Sequence, residues 1–116
     1  MVFSSKIKTA ILSVLLICSV ALPAQNAPIM GWSSWNHFHI NIDEKMIREQ
    51  ADAMISSGMY KAGYRFINID DGYFGGRNSD GNLLTDTKKF PSGMRALTDY
   101  IHARKLKAGI YSDAGK

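Results

Sequence analysis

The sequence predicts an α/β fold built from parallel strands. Three observations carry this. Short apolar runs alternate with segments of helical period in the order strand, helix, strand, helix, strand. The strands are separated by stretches long enough for crossover helices, as parallel pairing requires. Strand starts recur about every 40 residues, close to the unit length of a large barrel of alternating strands and helices.

Residues 29–32 form the first apolar segment and the first predicted strand. Residues 33–39 follow as a polar-aromatic loop. A helix then opens with Asn41 as its cap, because Glu44 sits three residues on in a capping-box spacing. Asp43 and Glu44 suit the positive end of its dipole. Ile47, Ala51, Met54 and Ile55 make one apolar face, and Gly58 supplies the left-handed residue that ends it.

The second strand spans residues 65–70. Its β-branched and aromatic residues lie between Gly63 and Gly72. It ends in Asp70-Asp71, the most informative pair in the chain. Neighbouring strand residues point to opposite faces, which makes two adjacent like charges tolerable. Carboxylates at the carboxyl tip of a parallel strand sit where α/β barrels place groups that grip a ligand. A solvated acidic turn is the other reading of the pair alone. The long loop over residues 71–90 holds Asp80-Gly81, the tight turn of a small hairpin. Pro91-Ser92 opens a second helix with Met94, Leu97 and Ile101 inward and Tyr100 beside them. Arg104, Lys105 and Lys107 fall at or past its negative end. Residues 108–111 form the third strand.

The 116 residues carry 14 basic and 10 acidic side chains, formally +4. Lys6 and Lys8 belong to a leader, and the remaining 12 basic and 10 acidic residues balance at +2. That weak, interspersed charge excludes a nucleic-acid partner, as does the lack of a basic stripe or aromatic platform. Residues 1–25 read as a signal peptide: a positive start, an uncharged apolar stretch over 9–22, then Pro23-Ala24-Gln25. The apolar stretch is short for a span of about 20 residues, so cleavage is expected rather than retention as a membrane anchor. The expected location is secreted or periplasmic. Cys18 is the one cysteine and lies in the leader, so residues 26–116 have no disulfide, thiolate nucleophile or cysteine metal site.

Four motifs in order resemble glycoside hydrolase family 27, the α-galactosidases and α-N-acetylgalactosaminidases. They are Met30-Gly31-Trp32-Ser33-Ser34-Trp35-Asn36, Asn68-Ile69-Asp70-Asp71-Gly72-Tyr73, Phe90-Pro91-Ser92-Gly93-Met94 and Leu106-Lys107-Ala108-Gly109-Ile110-Tyr111-Ser112-Asp113-Ala114-Gly115. The resemblance implies that residues 26–116 are the N-terminal part of a (β/α)₈ TIM barrel, with its first three strands and two helices. It implies an activity on terminal α-galactosyl groups with retention of configuration. It also implies substrate-binding roles for Trp35, Asp70, Asp71 and Tyr111, with Trp32 structural. An indole covers the apolar face of a galactose ring. Carboxylates accept charge-assisted hydrogen bonds from its hydroxyls, and a site built for one hydroxyl orientation rejects the epimer.

The family's nucleophile and acid/base lie on later strands, so no catalytic residue is expected in this chain. Retaining glycosidases hold two carboxyl groups about 5 Å apart, and adjacent strand residues diverge. Neither cofactor nor metal is implied. A metal site using Asn68 and Asp80 beside the pair fits no recognised loop spacing, and His37, His39 and His102 read as surface residues. Two departures stand out. Gly72-Tyr73 replaces the family's common cysteine, which removes its disulfide. Arg104-Lys105 replaces the glycine usual after the second helix. The competing readings are an α-N-acetylgalactosaminidase, a non-catalytic galactoside-binding module, and a small complete three-strand domain.

Overall fold

The computed structural model describes residues 28–112. The expected signal peptide at residues 1–25, and Asp113 in the last motif, lie outside the described residues.

Three strands form a parallel sheet. They are β1 (Gly31–Ser33), β2 (Phe66–Ile69) and β5 (Lys107–Ile110), with β2 central. Between β1 and β2 the chain makes a four-residue helix, α1 (Trp35–Phe38), and a long one, α2 (Glu44–Ser56). Between β2 and β5 it makes an antiparallel hairpin, β3 (Phe74–Arg77) with β4 (Leu83–Thr85), and then α3 (Gly93–Ala103). The register sets Gly31 against Phe66 and Phe66 against Lys107 at one end. Ser33 meets Asn68, and Ile69 meets Ile110, toward the other.

The core follows from period-two alternation in β2 meeting helical stripes. Ile67 and Ile69 are buried while Phe66 and Asn68 are half-buried on the other face. The two isoleucines share one cluster with Ile47, Ala51 and Met54 of α2 and Leu97 and Ile101 of α3. Phe90, Leu106, Ile42 and Tyr73 close it. Burying each large apolar side chain contributes about 1.5–3 kcal/mol, so this cluster holds the helices against the sheet. The α/β class, the parallel sheet, the hairpin and the inner stripes agree with the sequence reading, except that Ile55, expected on the inner face of α2, is exposed.

Several local expectations are corrected. The predicted loop over 33–39 is partly regular. β1 runs on to Ser33, and α1 closes through the Phe38 amide on the Ser34 carbonyl at 3.0 Å and the His39 amide on the Trp35 carbonyl at 3.0 Å. A single turn leaves no periodicity to read. Asn41 does not cap α2. Asp43 does, with Oδ1 accepting from the Met46 amide at 2.8 Å. The helix start lies two residues further on than expected, and the Glu44 carboxylate accepts from the Ser92 amide instead of completing a capping box. Asp70 and Asp71 lie past the last ladder residue of β2 rather than on the strand. Their proximity is tolerated because each carboxylate has its own hydrogen-bond donors, described below, and not because a pleat separates them. Gly58 ends the first long helix with φ of +86°, as expected.

Candidate functional site

Parallel pairing puts the carboxyl ends of β1, β2 and β5 along one edge of the sheet. Backbone leaving the three strands there carries Ser34-Trp35, Asp70-Asp71 and Tyr111. A cleft of about 330 Å³ opens at this edge, lined by Ser33, Asn68, Ile69, Asp70, Gly109, Ile110 and Tyr111.

Asp70 is held from two sides. Ser33 Oγ donates to its Oδ2 at 3.0 Å, and the Asp71 amide donates to its Oδ1 at 2.9 Å. The Asp70 amide donates to Oγ of the fully buried Ser34 at 3.0 Å, which ties the strand end of β2 to that of β1. Asp71 Oδ1 accepts from the Gly72 amide at 2.6 Å. Gly72 has φ of +103°, and a Cβ there would meet the Ile40 carbonyl oxygen at 2.5 Å, so only glycine fits. Among the described residues no lysine, arginine or histidine forms an ion pair with either aspartate. Both are half-buried carboxylates satisfied in part by neutral donors. A carboxylate has about four lone-pair sites, so acceptor capacity remains for a ligand's hydroxyls.

The end of β5 is fixed as well. The buried Tyr73 donates its phenol to the Tyr111 carbonyl at 2.6 Å. Gly109 leaves the space that the Asn68 side-chain oxygen occupies, and a Cβ would collide with it. Tyr111 itself is exposed.

Of the four residues expected to bind substrate, Asp70 and Tyr111 line one cleft, and Asp71 forms the turn immediately behind Asp70. Trp35 lies at the same edge, just beyond Ser34 on α1, but does not line the cleft. It is 40% exposed and makes an edge contact with His39 at 5.2 Å between centroids. Trp32 packs on the core and meets Phe38 edge-on, a structural position. Sequence reasoning missed Ser33, Ser34, Asn68 and Tyr73 as supports of the site. The paired hydroxyls at the tip of β1 were the available signal for the first two.

His37, His39 and His102 are exposed, and Asp80 stands in the hairpin turn with its amide on Asn78 Oδ1 at 3.1 Å. Among the described residues, no three histidine, cysteine, aspartate or glutamate side chains gather where they could hold a metal ion. No described helix is long and apolar enough to cross a membrane.

A parallel sheet with carboxylates and a tyrosine at its carboxyl edge defines an α/β protein whose polar groups gather at the strand tips, where this class of fold places ligand sites. The chain belongs to the alpha galactosidase A family, whose model matches residues 27–116. Alpha-galactosidase A of Cellvibrio japonicus is 57% identical over 106 residues, which is 86% of this chain and 26% of that protein. The α-galactosidase of Coffea arabica is 57% identical over 89 residues, 76% of this chain and 24% of its own length. The α-galactosidase of Saccharomyces cerevisiae, solved with raffinose, superposes with a TM-score of 0.73 at 40% identity and covers 76% of this chain and 20% of its own. The chain thus spans about a quarter of the length of the curated relatives it matches. The family read from the four motifs is borne out.

Proposed function

We propose that this chain forms the first three strands of the (β/α)₈ catalytic barrel of an exported α-galactosidase, and that it supplies sugar recognition rather than bond cleavage. The observation that carries this reading is the pair of carboxylates at the strand tips, held by neutral donors and, among the described residues, without an ion pair. Raffinose in the yeast relative supports an α-galactoside as substrate.

In this reading Asp70 and Asp71 accept hydrogen bonds from galactosyl hydroxyls, Trp35 covers the ring's apolar face and Tyr111 closes the cleft. Ser33 orients the Asp70 carboxylate, and the Ser34 bridge keeps β1 and β2 in step. The nucleophile and the acid/base stand about 5 Å apart on later strands of the barrel. They act by double displacement on a glycosidic bond that these residues position. Neither Asp70 nor Asp71 attacks the sugar. Export is supported by Lys6, Lys8 and the uncharged stretch over 9–22, and by a family match that starts at residue 27.

The test is an assay of the complete protein on a chromogenic α-galactoside, beside the matching α-N-acetylgalactosaminide, with the product anomer followed by proton NMR. α-Galactose should be released first, and the 116-residue chain alone should be silent. A complete protein inert toward α-galactosides, or turnover by the short chain, overturns the proposal. N-terminal sequencing of exported protein should begin near residue 26; a chain still starting at Met1 removes the export claim.

A further inference from the structure

Lys89 links two loops that lie far apart in the sequence. Its backbone is fixed on three sides. Its amide lies 3.3 Å from Asp86 Oδ1, its carbonyl accepts from the Glu44 amide at 2.9 Å, and the next residue, Phe90, is in the core. From this anchored start the side chain crosses to two separate loops. Nζ donates to the Ile40 carbonyl at 2.8 Å and to the Gly72 carbonyl at 2.9 Å. Ile40 belongs to the segment joining α1, which carries Trp35, to α2. Gly72 directly follows the aspartate pair. These two backbones also touch, since Gly72 leaves no room for a Cβ against Ile40.

Among the described residues Lys89 forms no ion pair with a carboxylate. Its ammonium instead spends charge-assisted donors on carbonyls of the segment after α1 and of the turn after the aspartate pair. We infer that Lys89 is a positioning residue, a tether that fixes the aspartate turn against the Trp35 loop and thereby sets affinity for the galactosyl ring. The affinity clause rests on the function proposed above; the tether itself does not.

The complete protein carrying Lys89→Met, which keeps the stem and removes every donor, tests both. KM for an α-galactoside should rise about tenfold while kcat stays within about twofold, because small displacements of positioning groups are costly and the reacting carboxyls lie elsewhere. Amide hydrogen exchange should accelerate together in residues 36–41 and 71–73 and stay unchanged in β2. Lys89→Arg, which can still bridge two carbonyls, should return KM to within about threefold of the parent. Should Lys89→Met not fold, Lys89→Gln retains one donor group and should raise KM about threefold with the same paired exchange. A KM unchanged in these variants, or exchange that accelerates throughout the fold, overturns the inference. If the parent protein ignores α-galactosides, the proposed function falls by itself, and the exchange pattern decides the tether: both loops together uphold it, one or neither refutes it.

Discussion

The carboxylates of the helix layer and those of the strand tips have opposite surroundings. Between α2 and α3, Glu44 accepts from Arg48 Nη2 at 2.6 Å and Nε at 2.9 Å, and from the Ser92 amide at 2.9 Å. Asp52 accepts from the Tyr100 phenol at 2.7 Å and from Arg104 Nε. The guanidinium groups of Arg48 and Arg104 lie over the Tyr100 ring at 4.3 and 3.4 Å. At the tips, Asp70 and Asp71 have a serine hydroxyl and backbone amides. In the helix layer each carboxylate meets one arginine and one neutral donor, and together these bonds link α2 to α3. A carboxylate held in place by neutral donors has spare lone pairs for something that arrives from solution. The donors around each carboxylate, rather than its burial, therefore distinguish a structural role in the helix layer from the recognition role proposed for the strand tips.

The largest effect should come from removing Asp70. If its carboxylate meets galactosyl hydroxyls, Asp70→Ala leaves buried sugar donors unpaired. kcat/KM on an α-galactoside in the complete protein should then fall about a thousandfold, or about 4 kcal/mol. Thermal stability should change little, since only the Ser33 and Asp71 donors lose a partner. The helix-layer counterpart, Asp52→Ala, should leave kcat/KM alone and cost about 0.5–1 kcal/mol, the value of an exposed pair. If the two variants behave alike, the distinction between the regions collapses.

Glu44 gives the next effect, and it depends on pH. Burial opposes its charge, but the hydrogen bonds from the Ser92 amide and from Arg48 outweigh burial and hold its carboxyl below the ordinary value of 4.5. Folding therefore favours the charged form. Its contribution is complete above the unfolded pKa and is lost as pH falls through the folded one. Glu44→Gln should cost about 1.5–3 kcal/mol in neutral solution, measured by denaturant unfolding, because it weakens charged hydrogen bonds in a buried place. The gap between parent and variant should then narrow as the solution is acidified from about pH 5. A gap that stays constant with pH would mean that Glu44 acts by shape alone.

These contrasts also mark what was legible in the sequence. Ile67 and Ile69 in β2, and the stripes through Ile47, Ala51, Met54, Leu97 and Ile101, were readable because burial imposes a period on apolar residues. Asp70 was readable as a strand-tip carboxylate. Its supports were not, because the Ser33 bond spans 37 residues and no local pattern encodes a contact at that distance. The helix start was misread for the same reason. Glu44 looked like half of a capping box, yet its carboxylate reaches 48 residues along the chain to Ser92, which leaves Asp43 to cap alone. Trp35 was legible as a residue and not as part of α1, since four residues carry no helical period.

The smallest effect tests the quiet end of the helix layer. After α3 the chain turns through Lys105 at φ of +60°, with the Lys105 amide on the His102 carbonyl at 2.8 Å. This is the left-handed position that closes many helices and that glycine fills without strain. Family resemblance leads one to expect glycine here, and a lysine side chain makes the turn at a conformational cost. Lys105→Gly relieves that cost but frees the unfolded chain, so the net gain should be about 0.5–1 kcal/mol, seen as a higher denaturant midpoint. KM for an α-galactoside should not move, because Lys105 stands at the amino end of β5, opposite the cleft. A gain in stability that also shifted KM would show that the two ends of the sheet are coupled, and the division between a structural layer and a recognition edge would have to be drawn elsewhere.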